Sequence, residues 1–544
     1  MAIDTRIVTV YMDASQDNYL TDPNWTNAAN VFDGSESTYG EVSRTGTYNV
    51  YSAWGYGTSS TVDGRIVSAR ARMLASQPNG AGTAGGMFQY ADIGTTILSI
   101  SSTGNLTPTW TTWANCNIQN FYEYIRDLSA PGMLGLTVDV WGYTDDTIRV
   151  YKVELEITYV PIINNFWGAE TGGLQELVAL SGTVTAQQSI IKGGAWAYQI
   201  NDDSSMEFHP FESVADAGGE HIIGAWIRLS AVTATSENLV LFNGLQSGST
   251  YEHFWVELDT SGNILYRDAD DVVQRTVSSP PITVDTLHLF ELYWKPHDTT
   301  GFMELFIDGV SQGLTSNIDT INDTGTTFDR LRFGDGTGTG SGITMYVDDI
   351  YYMSGCTSSA DRLGPVEVIS YRSNLNSATP DSGNILNSGV WADCQEVPFS
   401  ETNVAVYTGT AFNGYILTDD VGGSAGTGGP DTDANLTGSV VATKGVWRMK
   451  RGNGGSTSHL GRIGQQSNNV YVGFSLTTSY ANRFTVNENS VSLILPGLLG
   501  FGNNGNQDTY CADMLYQILH VPAVASGKAF IYNPAQRYAP FLVR

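Results

Sequence analysis

The chain has 544 residues, too many for one hydrophobic core, and at ~150 residues per domain its length fits three to four domains. Glycine numbers 60, tyrosine 28, and only 15% of residues are charged, a balance that favours strands joined by turns over helices. Lys and Arg number 26 against 55 Asp and Glu, a formal charge of −29 that repels a phosphate backbone and excludes nucleic acid as a partner.

The first segment is assigned to residues 1–161. Its opening, MAIDTRIVTVYMD, moves straight into an alternating strand and lacks the charged start and apolar core of a signal peptide, so the product is expected to stay where it is made. The run NWTNAANVFDGSESTYGEVS contains Asn27, Ala28, Val31, Phe32, Asp33, Gly34, Thr38 and Tyr39, and its Asp-Gly pair reads as a turn before it reads as a metal loop. Trp54 and Tyr56, in SAWGYGT, are loop aromatics able to stack on sugar rings, with core packing as the competing reading. NFYEYIRDL, Asn120 to Leu128, is the best helical candidate, or else a bulged strand. In the closing strand IRVYKVELEITYV, Val153, Leu155, Ile157 and Tyr159 share one face and Lys152, Glu154, Glu156 and Thr158 the other, as in a sheet with one wet side. These two stretches resemble the opening loop and closing strands of discoidin-like, galactose-binding-type jelly rolls, the latter as found in phage structural proteins. The resemblance implies a fold and names no ligand.

The second segment covers 162–355. FMELFIDGV alternates, directing Met303, Leu305 and Ile307 to a core and Glu304 and Phe306 away from it. Asp308-Gly309 supplies the positive backbone angles of a primed hairpin turn. In ITMYVDDIYYM the same period places Met345, Val347 and Asp349 on one face and Tyr346, Asp348 and Ile350 on the other. ELYWKPHDTTGFMELFIDGV and YVDDIYYM, with NNFWGAETGG and GGAWAYQIN near the start, resemble the concanavalin-like, laminin-G-like domains of tailed-phage virion proteins. Some members of that wider family hold calcium between an acid near the start and one in the final strand. The resemblance therefore implies Glu170, Asp348 and Asp349 as candidate calcium ligands, against carboxylates that cap turns. Tyr251 and His253, in STYEHFW, join Trp54 and Tyr56 as candidate glycan contacts.

The concanavalin-like fold also carries glycoside hydrolysis, and a retaining enzyme needs two carboxylates about 5 Å apart. VELDTSG offers Glu257 and Asp259, but Gly262 stands where the glucanase family has its second glutamate. The stretch reads instead as a hairpin loop between WVEL and ILYRD. The seven histidines lack zinc spacing, no serine sits in a nucleophile elbow, and GNGGSTSHLG lacks the Lys-Ser/Thr of a phosphate loop. The expectation is a chain without catalytic residues, and without a cofactor unless calcium is held.

The third segment covers 356–525. KGVWRMKRG carries Lys444, Arg448, Lys450 and Arg451, with Arg448 and Lys450 opposite Trp447 and Met449, as on a solvated strand edge or a contact with an acidic subunit. LGPVEVISYRSN, SGVWADCQEVP, VATKGVWRMKRGNGG and YVGFSLTTSYANRFT resemble, in order, a domain that accompanies laminin-G-like domains in phage minor structural proteins. VSLILPGLLGF is too short, and too broken by Pro496, to span a membrane. The extended tail, 526–544, holds Phe530, Tyr532, Tyr538 and Phe541 among prolines and is expected to dock on its own domain or on a neighbour. Cys116, Cys356, Cys394 and Cys511 are scattered and expected to be reduced.

The expected fold is all-β: three tandem antiparallel β-sandwich (jelly-roll) domains and an extended tail. Together the resemblances imply a non-enzymatic structural protein of a tailed-phage virion, peripheral and tail-associated, binding host-surface glycans and other virion proteins. Capsid decoration or a head fibre is one alternative, and a glycan depolymerase another. A homo-oligomer is expected by analogy with virion appendages, although the sequence has no heptads to impose one.

Overall fold

Among the described residues alternating sequence becomes antiparallel strand almost throughout, and no α-helix is present. The structure, a computed structural model, describes residues 6–10, 25–27, 30, 35–43, 51–56, 65–78, 83–90, 96–103, 107–115, 134–141, 147–209, 214–215, 219–246, 252–322, 327–334, 340–371, 385–388, 405–408, 414–417, 438–451, 459–465, 468–474, 481–487, 498–503 and 509–522. The helical candidate at 120–128 and the tail at 526–544 lie outside them. The chain forms two compact units, residues 1–162 with 354–361, and residues 163–353 with 362–544. Cys356 and Cys511 are buried thiols. Cys116 and Cys394 fall outside the described residues.

In the first unit the Thr147–Val160 strand runs between Arg65–Ser76 on one edge and Arg6–Val10 with Gly40–Ser43 on the other, within a seven-stranded sheet. A four-stranded sheet is ordered Tyr51–Tyr56, Leu134–Trp141, Thr83–Tyr90, Thr96–Thr103. The polar face of Thr147–Val160 is not wet as its alternation suggests. Lys152 and Glu154 are buried, and Glu154 pairs with Arg72 at 2.6 Å and with Lys152 at 3.0 Å. The reason is a roof: Thr109–Trp110 and Ala114–Asn115 pair with Arg65–Ser76, and the Arg72 guanidinium lies 4.2 Å from the Trp110 ring and 4.5 Å from Trp113. Guanidinium groups stack on indoles while keeping their in-plane donors for carboxylates, so a charged face can be covered without losing its partners.

The second unit contains a sandwich of an eight-stranded and a seven-stranded sheet. The first is ordered Val184–Gln187, Ala197–Ile200, Met345–Cys356, Glu220–Leu229, Leu287–Lys295, Gly301–Ile307, Val310–Ile318, with Ile162–Trp167 also on Met345–Cys356. The second is ordered Ala179–Ser181, Ser205–Phe208, Arg330–Gly334, Leu239–Leu245, Glu252–Leu258, Ile264–Arg267, Val273–Val277. Their inner faces meet in one core that includes Trp167, Phe208, Phe254, Trp294, Phe328 and Phe333. Met303, Leu305 and Ile307 enter it as their alternation predicts, each such side chain contributing about 1.5–3 kcal/mol by leaving water. Asp308 and Gly309 have φ of 50° and 80°, the two positive angles of a type I′ turn, between the paired Ile307 and Val310. Strict alternation fails in ITMYVDDIYYM. Met345 and Val347 face the core, but so do Ile350 and Tyr352, because Asp349 takes a left-handed conformation at φ 47° and shifts the phase by one residue.

The same unit holds a six-stranded sheet whose path is Ile385–Ser388, Ala405–Thr408, Thr509–Pro522, Gly438–Arg451, Ala481–Asn487, with Glu367–Tyr371 also on Thr509–Pro522. A four-stranded sheet of Gly414–Leu417, Leu498–Asn503, His459–Gln465 and Asn468–Phe474 accompanies it. The basic strand is therefore internal, paired on both sides, and the expectation of a strand edge is corrected. Trp447 and Met449 are buried and Arg448 and Lys450 half-buried, as alternation requires. Lys444 is fully buried, its Nζ donating to the Phe166 carbonyl and to Glu176 Oε1, each at 2.6 Å.

Candidate functional site

The seven-stranded sheet of the second unit turns its other face outward, and there a groove of about 330 Å³ is lined by Glu237, Asn238, Val240, Asn243, Glu252, Trp255, Glu257, Arg267, Asp271 and Arg332. Period two explains most of this lining. Phe254, Val256 and Leu258 face the core, leaving Trp255 and Glu257 for the groove; Ile264 and Tyr266 face in and Arg267 out; Leu331 and Phe333 face in and Arg332 out. Two irregularities supply the rest. A bulge between Val240 and Phe242 turns both Leu241 and Phe242 to the core and leaves Val240 and Asn243 outward. A second register shift, between Gly244 and Leu245, lets Glu252 share a face with Trp255 three residues later.

Carboxylates and guanidinium groups alternate across the strands. Arg267 donates from Nε to Glu257 Oε2 at 2.7 Å and from Nη1 to Asp271 Oδ1 at 3.0 Å, and Asn238 Nδ2 donates to Glu257 Oε2 at 2.9 Å. Arg332 bridges Glu252 Oε1 at 2.9 Å and Glu207 Oε1 at 2.8 Å, and Arg330 reaches Glu207 Oε2 at 2.7 Å. Asn243 Nδ2 donates to Glu252 Oε1 at 2.9 Å. Burial raises the Glu252 carboxyl from its ordinary value, opposed by Arg332 and Asn243. Burial acts the same way on Glu207, but hydrogen bonds from Arg330 and Arg332 outweigh it and hold that group low. The groove thus combines a raised acid, a second carboxylate, a half-buried indole and side-chain amides, the inventory for binding a hydroxyl-rich chain and for acid–base chemistry on it.

Of the glutamate and aspartate in VELDTSG, only Glu257 belongs to this groove. Asp259 accepts the amides of Ser261 at 2.8 Å and Asn263 at 2.7 Å and closes the hairpin, as read from the sequence. His253 is fully buried and lines no surface; its Nδ1 accepts the Asn322 amide at 3.0 Å. Trp54 and Tyr56 fall within a strand, Tyr51–Tyr56, and not in a loop. Tyr251, Phe530, Tyr532, Tyr538 and Phe541 lie outside the described residues. Trp255, Asn243, Arg267, Asp271, Arg332 and Glu252 were not anticipated. The only local signal was a charged residue between apolar ones in DRLRF and ILYRD.

Glu170, Asp348 and Asp349 are all buried in the second unit, where backbone amides take up an oxygen of each and only Asp349 Oδ2 lacks a partner among them. Glu170 Oε1 accepts Ala195 N at 2.9 Å and Trp196 N at 3.1 Å, and its Oε2 accepts Ser370 Oγ at 2.8 Å. Asp348 Oδ2 accepts Lys192 N at 2.6 Å, and Asp349 Oδ1 accepts Val368 N at 2.7 Å. Burial pushes Glu170 up to about 7, and drives Asp348 and Asp349 upward as well, so these groups are biased toward the neutral acid. Among the described residues no three His, Cys, Asp or Glu side chains are grouped to hold a metal ion.

No protein-family model and no curated protein matches the chain. Solved structures do. An endo-β-1,4-glucuronan lyase from the fungus Trichoderma reesei is similar over 36% of this chain and 96% of its own, at 16% identity and a TM-score of 0.29. A carbohydrate esterase from the Shiga toxin-encoding bacteriophage phi24B matches over 36% of this chain and all of its own, at 13% identity and a TM-score of 0.26. The tandem CBM22 domains of Xyn10C from Paenibacillus barcinonensis match over 67% of this chain and 98% of their own, at 11% identity and a TM-score of 0.21. At such identities the likeness concerns fold. Against the expectation of a chain without catalysis, which is corrected here, the solved structures this chain is similar to include a lyase and an esterase. No helix among the described residues is long and apolar enough to cross a membrane.

Proposed function

We propose that this protein is a glycan-active β-sandwich protein whose groove binds a saccharide chain and whose carboxylates act on it. The observation that carries the reading is the juxtaposition in one groove of Trp255, the burial-raised acid Glu252 and the carboxylate Glu257. Glu252 is suited to donate a proton to a leaving oxygen, while Glu257, oriented by Arg267 and Asn238, supplies the second carboxylate that glycan cleavage requires. The test is incubation of the full chain with a panel of polysaccharides, following new reducing ends. Turnover abolished by Glu252→Gln and by Glu257→Gln, with the fold retained, supports the reading. Turnover indifferent to both substitutions, or no turnover of any polymer, removes the catalytic role.

The setting we propose is the surface of a tailed-phage virion, in its tail or on its head, where a glycan-active domain would serve adsorption. The motif resemblances along all three segments support it. Antibody labelling of intact virions tests this, and a chain missing from purified particles would overturn it.

A further inference from the structure

From the chemistry of its lining we infer that the groove selects neutral saccharide chains and turns away polyuronates and other anionic glycans. The inference rests on the reading of the groove as a glycan site and specifies what that site takes. Two features of the lining lead to it, one calling for hydroxyl donors and the other turning away anions.

The first is charge. Four carboxylates, Glu237, Glu252, Glu257 and Asp271, line the groove against two guanidinium groups, and the lining stays net negative even with Glu252 protonated. Both arginines are already engaged by carboxylates. Arg267 is held by Glu257 and Asp271, and Arg332 by Glu252 and Glu207. A uronate entering here would meet like charges on a chain that is itself strongly acidic.

The second is hydrogen-bond polarity. Asn243 is 1% exposed, and its Oδ1 has no hydrogen-bond partner, although the residue lines the groove. While Glu252 is ionised, only the amide nitrogen of Asn243 can donate to it, which sets the orientation. An unmet buried acceptor costs about 1–3 kcal/mol, and a ligand that donates recovers it. A sugar hydroxyl donates and satisfies Asn243; a polyuronate has such hydroxyls too, so this feature calls for a saccharide while the charge of the lining turns away an anionic one. With Glu252 and Glu257 adding further acceptor oxygens, the lining is complementary to hydroxyl donors beside an indole face, which together with its charge describes a neutral glycan.

The experiment is affinity electrophoresis of the full chain through galactomannan and arabinoxylan against alginate and polygalacturonate, at low and moderate salt. The expected result is retardation by at least one neutral polymer, about tenfold tighter than by either polyuronate at low salt, with the gap narrowing as salt rises. Trp255→Ala should weaken the neutral interaction about tenfold or more, and Glu237→Lys with Asp271→Lys should admit alginate. Polyuronates bound as tightly as neutral polymers at low salt would overturn the selectivity while leaving the groove as a glycan site. No binding to any polymer, or neutral binding untouched by Trp255→Ala, would overturn the groove itself.

Discussion

Replacing Lys444 by Met should destabilise the second unit out of proportion to the single contact removed. Lys444 and Glu176 are both fully buried, 2.6 Å apart, with Gln517 Nε2 3.3 Å from the second oxygen of Glu176 and the rings of Phe166 and Trp167 5.5 and 5.6 Å from the ammonium. At an effective dielectric of about 20 the gross attraction at that separation is ~6 kcal/mol, comparable with the several kcal/mol per ion needed to strip both groups of water. The intact pair therefore adds little net stability. Removing one member leaves an uncompensated buried carboxylate and should cost about 3–5 kcal/mol, whereas Lys444→Met combined with Glu176→Gln should return to within about 1–2 kcal/mol of the parent. Because several sandwiches unfold in one chain, the readout is native-state hydrogen exchange on the Ile162–Trp167 and Gly438–Arg451 strands, together with a denaturant melt. A single variant within about 1 kcal/mol of the parent, or a double variant as unstable as the single, would refute the reasoning.

Stability should also fall as pH rises from 6.5 to 8. Glu170, at about 7 in the fold against 4.5 outside it, contributes fully below 4.5 and loses about 3 kcal/mol between pH 4.5 and 7, of which about 1 kcal/mol is left to lose between 6.5 and 8. Asp348 and Asp349 act in the same direction. His221, depressed by burial to about 3, works oppositely, but only between pH 3 and 6.5. Thermal melts should show the decline, and Glu170→Gln should flatten it; an unchanged slope in that variant would assign the effect elsewhere. Gly194→Ala should cost more than Gly309→Ala. Both have positive φ, worth about 1–2 kcal/mol in an L-residue, but a Cβ at Gly194 would stand 2.1 Å from Glu170 Oε1 whereas none of the surroundings reaches one at Gly309. Equal losses in denaturant melts would show that the close approach relaxes without cost. Calcium should leave the melting temperature unmoved, since amides already engage one oxygen each of Glu170, Asp348 and Asp349 and no three carboxylates are grouped among the described residues; a rise of several degrees that EDTA reverses would restore the calcium reading.

The all-β architecture was legible because alternation and turn chemistry are local. Met303, Leu305 and Ile307 face the core, and Asp308-Gly309 makes the turn, from information carried within ten residues. What misled was equally local. A bulge costs one residue of phase and leaves no mark in composition, so Asp349 inverted every residue after it and placed Ile350 and Tyr352 inside. Likewise KGVWRMKRG reads as an edge because a strand's own sequence does not state how many neighbours it has; Thr509–Pro522 and Ala481–Asn487 supply them from far along the chain.

The groove escaped notice for the same physical reason, and the carboxylates show why residue type alone could not find it. Glu176 is an ion-pair member because Lys444, 268 positions away in sequence, is brought to 2.6 Å. Glu170 is biased toward the neutral acid because burial acts on it while amides from the 195–196 turn hold it in place. Glu257 faces outward because its neighbours Val256 and Leu258 do not, and it becomes part of a site only when the register of Ile264–Arg267 sets Arg267 beside it. The pairing of strands, not the spacing of acids, converts one residue type into staple, buried acid or groove lining. Glu257 and Asp259, two positions apart on one strand, therefore part company, Asp259 closing the hairpin while Glu257 shares its groove with Glu252.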